Sequence, residues 1–155
     1  MGQMELTASE DIDAPLDRVF EAVTNFDGIE RQALRRGINV RRTDDIAGPA
    51  VGMTWQAEFG FRGKPRTVEI CLAEYSPPEQ LIFDNASGGL EARLVIDLVA
   101  LSRTRTRINL ATELKPTTLS ARLLVQSLKL AKGGLDKRFR HRVAGMAKEL
   151  ENRLR

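Results

Sequence analysis

The sequence has few of the residues that carry metal or nucleophilic chemistry: its 155 residues include one cysteine, Cys71, and one histidine, His141. A single cysteine excludes an internal disulfide, and one cysteine with one histidine cannot supply the ligands of the usual zinc sites. The sequence also has no Gly-x-Ser-x-Gly elbow and no glycine-rich phosphate loop. We therefore expect no metal and no cofactor, and the lone cysteine fits a reducing, cytoplasmic environment.

Long apolar runs are also missing. The best candidate, 94–101, is interrupted by Asp97 and is far shorter than the ~20 residues that cross a bilayer. Glu5, Glu10 and Asp11 stand near the start of the chain, where a signal peptide has cations and an apolar core, so we expect no export signal. The length fits one domain over 1–155.

Charge is distributed unevenly along the chain. Residues 120–155 hold 10 basic and 3 acidic residues, whereas 1–119 hold 14 basic and 18 acidic ones. A basic C-terminal helix favours transient contact with an anionic membrane surface or an acidic protein, although a solvated helix face would look the same. Phe139 is the only aromatic residue in the basic segment, so base stacking with nucleic acid is not favoured.

The pattern of apolar residues predicts one strand, two short helices and six further strands. Residues 4–12 alternate between apolar and polar, which is typical of a half-buried strand. For the first helix we expect Asp13 as N-cap and Pro15 in the first turn, and the second helix should end at Gly37. Alternation recurs six times between 38 and 114, separated by short turns, which predicts an antiparallel sheet.

The C-terminal segment predicts one long amphipathic helix. Apolar residues recur from Leu124 to Leu150 at steps of three and four. The pair Gly133-Gly134 interrupts this run, and each glycine in a helix interior costs about 1 kcal/mol relative to alanine. Because the apolar direction persists across the pair, we interpret the segment as a continuous but bent helix, with ligand gating as a hypothesis.

This order of elements resembles the helix-grip fold of the START/Bet v 1-like (SRPBCC) superfamily, the polyketide cyclase and lipid-transport group. The run from Ile12 to Phe20 is similar to the group's approach to its first helix, Gly52-Met53-Thr54-Trp55 to its third strand, and the segment from Tyr75 to Leu81 to its loop of paired prolines. The resemblance implies an α+β fold in which a curved antiparallel sheet of about seven strands wraps around the C-terminal helix. It also implies a hollow for lipids, sterols, polyketides, hormones or quinones, although some members bind proteins or act on ribosomes.

The candidate ligand-binding residues share the inward parity of the predicted sheet and helix. Each of them also fits an ordinary filled core, but the resemblance and the small inward residues Ala57, Ala92 and Ala131 favour a pocket. Asn85 and Thr112 would be the polar groups that orient a ligand. The apolar candidates are Trp55, Phe59, Ile70, Phe83, Ile96, Leu98, Leu110, Leu124, Leu128, Ala131 and Leu135.

The ionisable residues do not form a catalytic set in the sequence. We expect Asp97 on the solvent face near Arg107 and Asn109, and Tyr75 at a strand end. No nucleophile, base and orienting group come together. The sequence therefore favours non-catalytic binding or transport of a small hydrophobic or amphipathic ligand. The alternatives are a polyketide cyclase- or dehydratase-like enzyme and a ribosome or protein-partner module that acts through the basic helix.

Overall fold

The computed structural model describes residues 3–61 and 63–155. In this part of the chain, one strand precedes two helices, six strands follow, and two helices end the chain. The strands are β1 Met4–Ile12, β2 Asn39–Arg42, β3 Thr54–Phe61, β4 Lys64–Ser76, β5 Gln80–Ser87, β6 Leu90–Ser102 and β7 Arg105–Pro116. The helices are α1 Leu16–Val23, α2 Phe26–Arg35, α3 Leu119–Leu130 and α4 Lys132–Arg153.

The seven strands form one antiparallel sheet in the order β1-β7-β6-β5-β4-β3-β2. Residues opposite one another in neighbouring strands point to the same face, so the register defines rows across the sheet. One such row runs through Leu81, Ile96, Leu110 and Ala8. The predicted α+β helix-grip architecture is confirmed, including the two short helices between the first two strands.

The helices cover one face of the sheet, which we call the inner face. The Phe26 ring of α2 lies 5.1 Å from Trp55 of β3, and the Phe20 ring of α1 lies 5.7 Å from Tyr75 of β4. Three side chains of α4 complete this core: Val143, Ala147 and Leu150. The opposite, outer face carries the alternating polar residues of the strands. Within the described residues, no helix has the length and apolar character needed to cross a membrane.

The C-terminal helical segment is broken at Ala131, so the prediction of a continuous helix is wrong. Ala131 has φ −105° and ψ 17°, and its N–H donates to the Leu128 carbonyl at 3.0 Å. The two glycines lie in the first turn of α4, and no non-neighbouring atom comes within 4 Å of a Cβ placed on Gly133. The pair therefore does not relieve a steric clash; it lowers the helix propensity beside the break.

The end of α4 is tied to the first helices and the loop that precedes them. Glu151 accepts a hydrogen bond from the Asp13 backbone N–H at 2.8 Å, and the Arg18 guanidinium donates to the Leu154 carbonyl at 2.8 Å. Asp13 therefore does not cap α1, whose N-cap residue is Pro15. The N-terminus of α3, by contrast, is held by its Thr118 cap, which accepts from the Ala121 N–H at 3.1 Å.

Candidate functional site

The inner face of the sheet is tightly packed at one end. Leu81, Leu98 and Ile108 are almost fully buried in a single core with residues of α1, α2 and α4. This core lies at the end of the sheet where the Thr106 hydroxyl donates to the Ala14 carbonyl at 2.8 Å. The first helices and the end of α4 therefore close this end of the space between sheet and helices.

The central part of the same face is only partly covered. Leu94 of β6 lies opposite Phe83 of β5 and Thr112 of β7, and all three side chains are half-buried although their strands are interior to the sheet. Their exposure is on the inner side, because strands flank them within the sheet. Other half-buried inner-face residues of β4 to β7 include Val68, Ile70, Asn85, Ala92, Ile96 and Leu114.

Two polar side chains with free hydrogen-bonding capacity lie among these apolar residues. The Asn85 amide nitrogen donates to the carbonyls of Ala92 at 3.1 Å and Phe83 at 3.3 Å. Within the described residues, neither the Asn85 Oδ1 nor the Thr112 hydroxyl has a hydrogen-bond partner, and neither atom is fully buried. Both can therefore bond to water or to a polar group of a ligand.

The helix residues proposed for the site differ in their burial. Leu124 and Leu128 of α3 and Leu135 of α4 are half-buried. Ala131 is exposed and lies outside both helices, because the break falls on it. The sequence reasoning missed the two residues that bury α3, Ala121 and Val125, although their spacing of four is the usual signal of a helix face.

Trp55 is held in place from the side of the loop between β2 and β3. The Arg42 guanidinium carbon lies 5.7 Å from the centre of the Trp55 ring, and Asp44 accepts two hydrogen bonds from Arg42, at 2.7 and 2.8 Å. Asp44 also accepts from the backbone N–H groups of Ile46 and Thr54, each at 2.7 Å. The Arg42 hydrogen bonds, followed by those backbone donors, hold the pKa of Asp44 far below its usual range.

A β-bulge turns Tyr75 toward the inner face. The register of β4 against β5 shifts between Leu72 and Glu74, so Tyr75 lies opposite Leu81 and inside the strand. Tyr75 is the last residue but one of β4, as expected for a residue near a strand end, and simple alternation could not reveal the register shift. Within the described residues, the Tyr75 hydroxyl has no hydrogen-bond partner.

Asp97 lies on the outer face directly opposite Asn109, as expected, but it does not pair with Arg107. Asp97 accepts a hydrogen bond from the Gln80 amide at 2.8 Å, while Arg107 pairs with Asp11 at 2.8 Å. The hydrogen bond from Arg107 lowers the pKa of the Asp11 carboxyl.

The remaining reactive side chains do not assemble with one another. His141 is exposed on α4, and Cys71 lies half-buried on the outer face opposite Thr54 and Asp84. Over residues 3–61 and 63–155, no group of three or more His, Cys, Asp and Glu side chains is placed to hold a metal ion.

Comparison with known proteins identifies the fold but no relative by sequence. The sequence matches no family model and no curated protein. Zhui aromatase/cyclase from Streptomyces sp. R1128 is similar in structure, with a TM-score of 0.69 and 12% identity over 99% of this chain and 96% of that one. Norcoclaurine synthase from Thalictrum flavum, solved with dopamine and hydroxybenzaldehyde, has a TM-score of 0.61 and 13% identity over 81% of this chain and 76% of that one. Ara h 8.0201 has a TM-score of 0.59 and 14% identity over 87% of this chain and 93% of that one.

These likenesses show a shared fold. The chain has the helix-grip fold of the Bet v 1-like (SRPBCC) proteins, as its sequence resemblance implied. Two of these neighbours are named as enzymes, an aromatase/cyclase and a norcoclaurine synthase, and identities below 20% carry neither activity over to this chain.

Proposed function

We propose that this protein binds or carries a small hydrophobic or amphipathic ligand between its sheet and its C-terminal helices, without catalysing a reaction. The observation that carries the proposal is the half-buried group of apolar residues at the centre of the inner face. A filled core would bury interior-strand side chains such as Leu94 and Phe83 as fully as it buries Leu98. Space beside apolar side chains favours an apolar occupant.

The polar groups narrow the chemistry of the ligand. Asn85 Oδ1 can accept a hydrogen bond, and the Thr112 hydroxyl can donate or accept one. A ligand with an apolar body and one or two hydroxyl or carbonyl groups would satisfy both, as lipids, polyketides and quinones do. The half-buried apolar candidates from the sequence would line the space around it, namely Phe59, Ile70, Phe83, Ile96, Leu124, Leu128 and Leu135. Trp55, Leu98 and Leu110 belong instead to the packed core.

A cyclase- or dehydratase-like enzyme is the second candidate. The observation that favours it is the inward Tyr75, whose hydroxyl could serve as a general acid beside Phe20. The structural likeness to an aromatase/cyclase supports the same candidate. Binding remains the preferred function because, within the described residues, the Tyr75 hydroxyl is hydrogen-bonded to no base or second acid.

The expected partners and location stay predictions. Contact of the basic C-terminal helix with a membrane surface or a protein would accompany ligand transport, and the lone cysteine supports a cytoplasmic location.

Ligand binding is tested by filling the space. Ala92 points inward beside Asn85, and Ala86 points outward on β5 between Glu69 and Glu91. Ala92→Phe should weaken binding of an apolar fluorescent probe at least about tenfold, because the larger ring occupies the site. Ala86→Phe is the matched control and should leave binding unchanged.

Native mass spectrometry of the freshly purified protein should show an added mass that Ala92→Phe loses. Equal probe binding by both variants and the unchanged protein would overturn the proposal. If the unaltered protein converted a polyketide-type substrate and the Tyr75→Phe variant did not, the protein would instead be the cyclase- or dehydratase-like enzyme.

A further inference from the structure

Helix α3 carries apolar side chains on two opposite faces. Ala121 and Val125 are buried toward the protein, as a packed helix requires. On the other side, Leu119 is 72% exposed, Leu123 is 59% exposed and Leu130 is 92% exposed. At about 100° per residue these three side chains lie within about 40° of one another around the helix axis. We call this set the leucine stripe.

The charge around the leucine stripe has one sign. Helix α3 contains no acidic residue, and Arg122 and Lys129 lie about 60–80° to one side of Leu119 around the axis. Neither cation forms an ion pair within the described residues. Helix α4 continues the positive charge with exposed Lys137, Arg138, Arg140 and Arg142, while Lys132 is paired with Asp136 at 3.0 Å.

An apolar stripe flanked by unpaired cations is the pattern of a helix that lies in a lipid interface. Leucines enter the region between headgroups and acyl chains, and neighbouring lysine and arginine side chains contact anionic headgroups. A second copy of this chain fits less well, because pairing two α3 helices would bring Arg122 and Lys129 against the same charges.

We propose that α3 docks on an anionic lipid surface through Leu119, Leu123 and Leu130, with Arg122 and Lys129 contacting the headgroups. Docking needs no ligand in the inner space, so it is independent of the proposed binding function.

Flotation of the full chain with vesicles tests this proposal. The protein should bind phosphatidylcholine vesicles that contain phosphatidylglycerol, and pure phosphatidylcholine vesicles far less. Leu123→Gln with Leu130→Gln should reduce partitioning at least about tenfold, because two apolar insertions are lost. Leu34→Gln is the matched control, since Leu34 is 63% exposed on α2, and should leave partitioning unchanged.

A second variant separates the charge from the leucines. Arg122→Gln with Lys129→Gln should weaken binding to the anionic vesicles and reduce its salt dependence, with the stripe intact. The proposal is overturned if the unaltered protein stays unbound at low salt, or if the leucine variant floats as well as the control. A dimer in sedimentation that the leucine variant abolishes would also overturn it, because the stripe would then be covered by a second copy.

Discussion

Two leucines on one strand provide the sharpest test of how the inner face is packed. Leu94 and Leu98 lie four residues apart on β6 and point to the same face. Leu98 is 3% exposed and belongs to the packed core, whereas Leu94 is half-buried at the centre of the face. The two sites therefore share residue type, strand and orientation, and differ in what surrounds the side chain.

The expected losses of stability follow from that difference. Leu98→Ala removes a side chain enclosed on all sides, and such changes cost about 2–5 kcal/mol of unfolding free energy. Leu94→Ala removes a side chain that already lacks neighbours on part of its surface, so fewer contacts are lost and no enclosed void is created. We expect a loss of about 1 kcal/mol at Leu94.

Urea unfolding followed by circular dichroism measures both values, with equal slopes as the check that each variant unfolds in one step. Losses that agree within about 0.5 kcal/mol would refute the reasoning, because the inner face would then be filled uniformly. An apolar probe should also stabilise Leu94→Ala against urea if the space accepts ligand.

Three further predictions concern residues around the site. Asp44→Asn should lower the free energy of unfolding at neutral pH. Because the fold lowers the pKa of Asp44, the carboxylate stabilises the protein above the pKa of an unfolded carboxyl group, and this stabilisation is lost as the pH falls. Urea titrations should therefore show that the stability of the variant declines less toward acid pH than that of the unaltered protein. Gly89→Ala should destabilise the protein by more than the ~1 kcal/mol that a left-handed backbone costs, since φ is +84° and the new Cβ would lie 2.5 Å from Thr118 Oγ1. Gly88→Ala, with φ +51° and no atom near the new Cβ, should show only the backbone cost in the same urea titrations. Trp55, at 4% exposure, should be quenched by iodide far less than free indole, and quenching equal to that of indole would contradict its placement.

Alternation along the chain was sufficient to predict the strands, because side chains of a strand point to its two faces in turn. It placed Trp55, Phe83 and Leu110 on one face correctly, since the extra residues at the two irregularities of the sheet belong to β4 and β6 and not to β3, β5 or β7. Alternation in β4 does not extend past Leu72, because a bulge adds one residue there and shifts the later positions, including Tyr75. A bulge depends on the partner strand and leaves no distinct pattern in its own sequence.

Predictions that depended on register or on tertiary packing were less successful. The partner of Asp97 depended on how β5, β6 and β7 align, and its partner is Gln80 of β5. The phase of the apolar residues continues across Ala131, yet the backbone breaks there. Periodicity shows which side of a helix is apolar, but whether the helix is continuous also depends on how each of its two parts packs against the rest of the protein.

The break at Ala131 divides the C-terminal segment into parts with different anchoring. The end of α4 is tied to the start of α1 through Glu151 and Arg18, whereas two buried residues, Ala121 and Val125, hold α3. Backbone amides of α3 can therefore exchange with solvent deuterium through local opening, while those of α4 near Val143 require global unfolding. Residence time of any bound molecule would then follow the free energy of the local opening, and thermal stability alone would not report it.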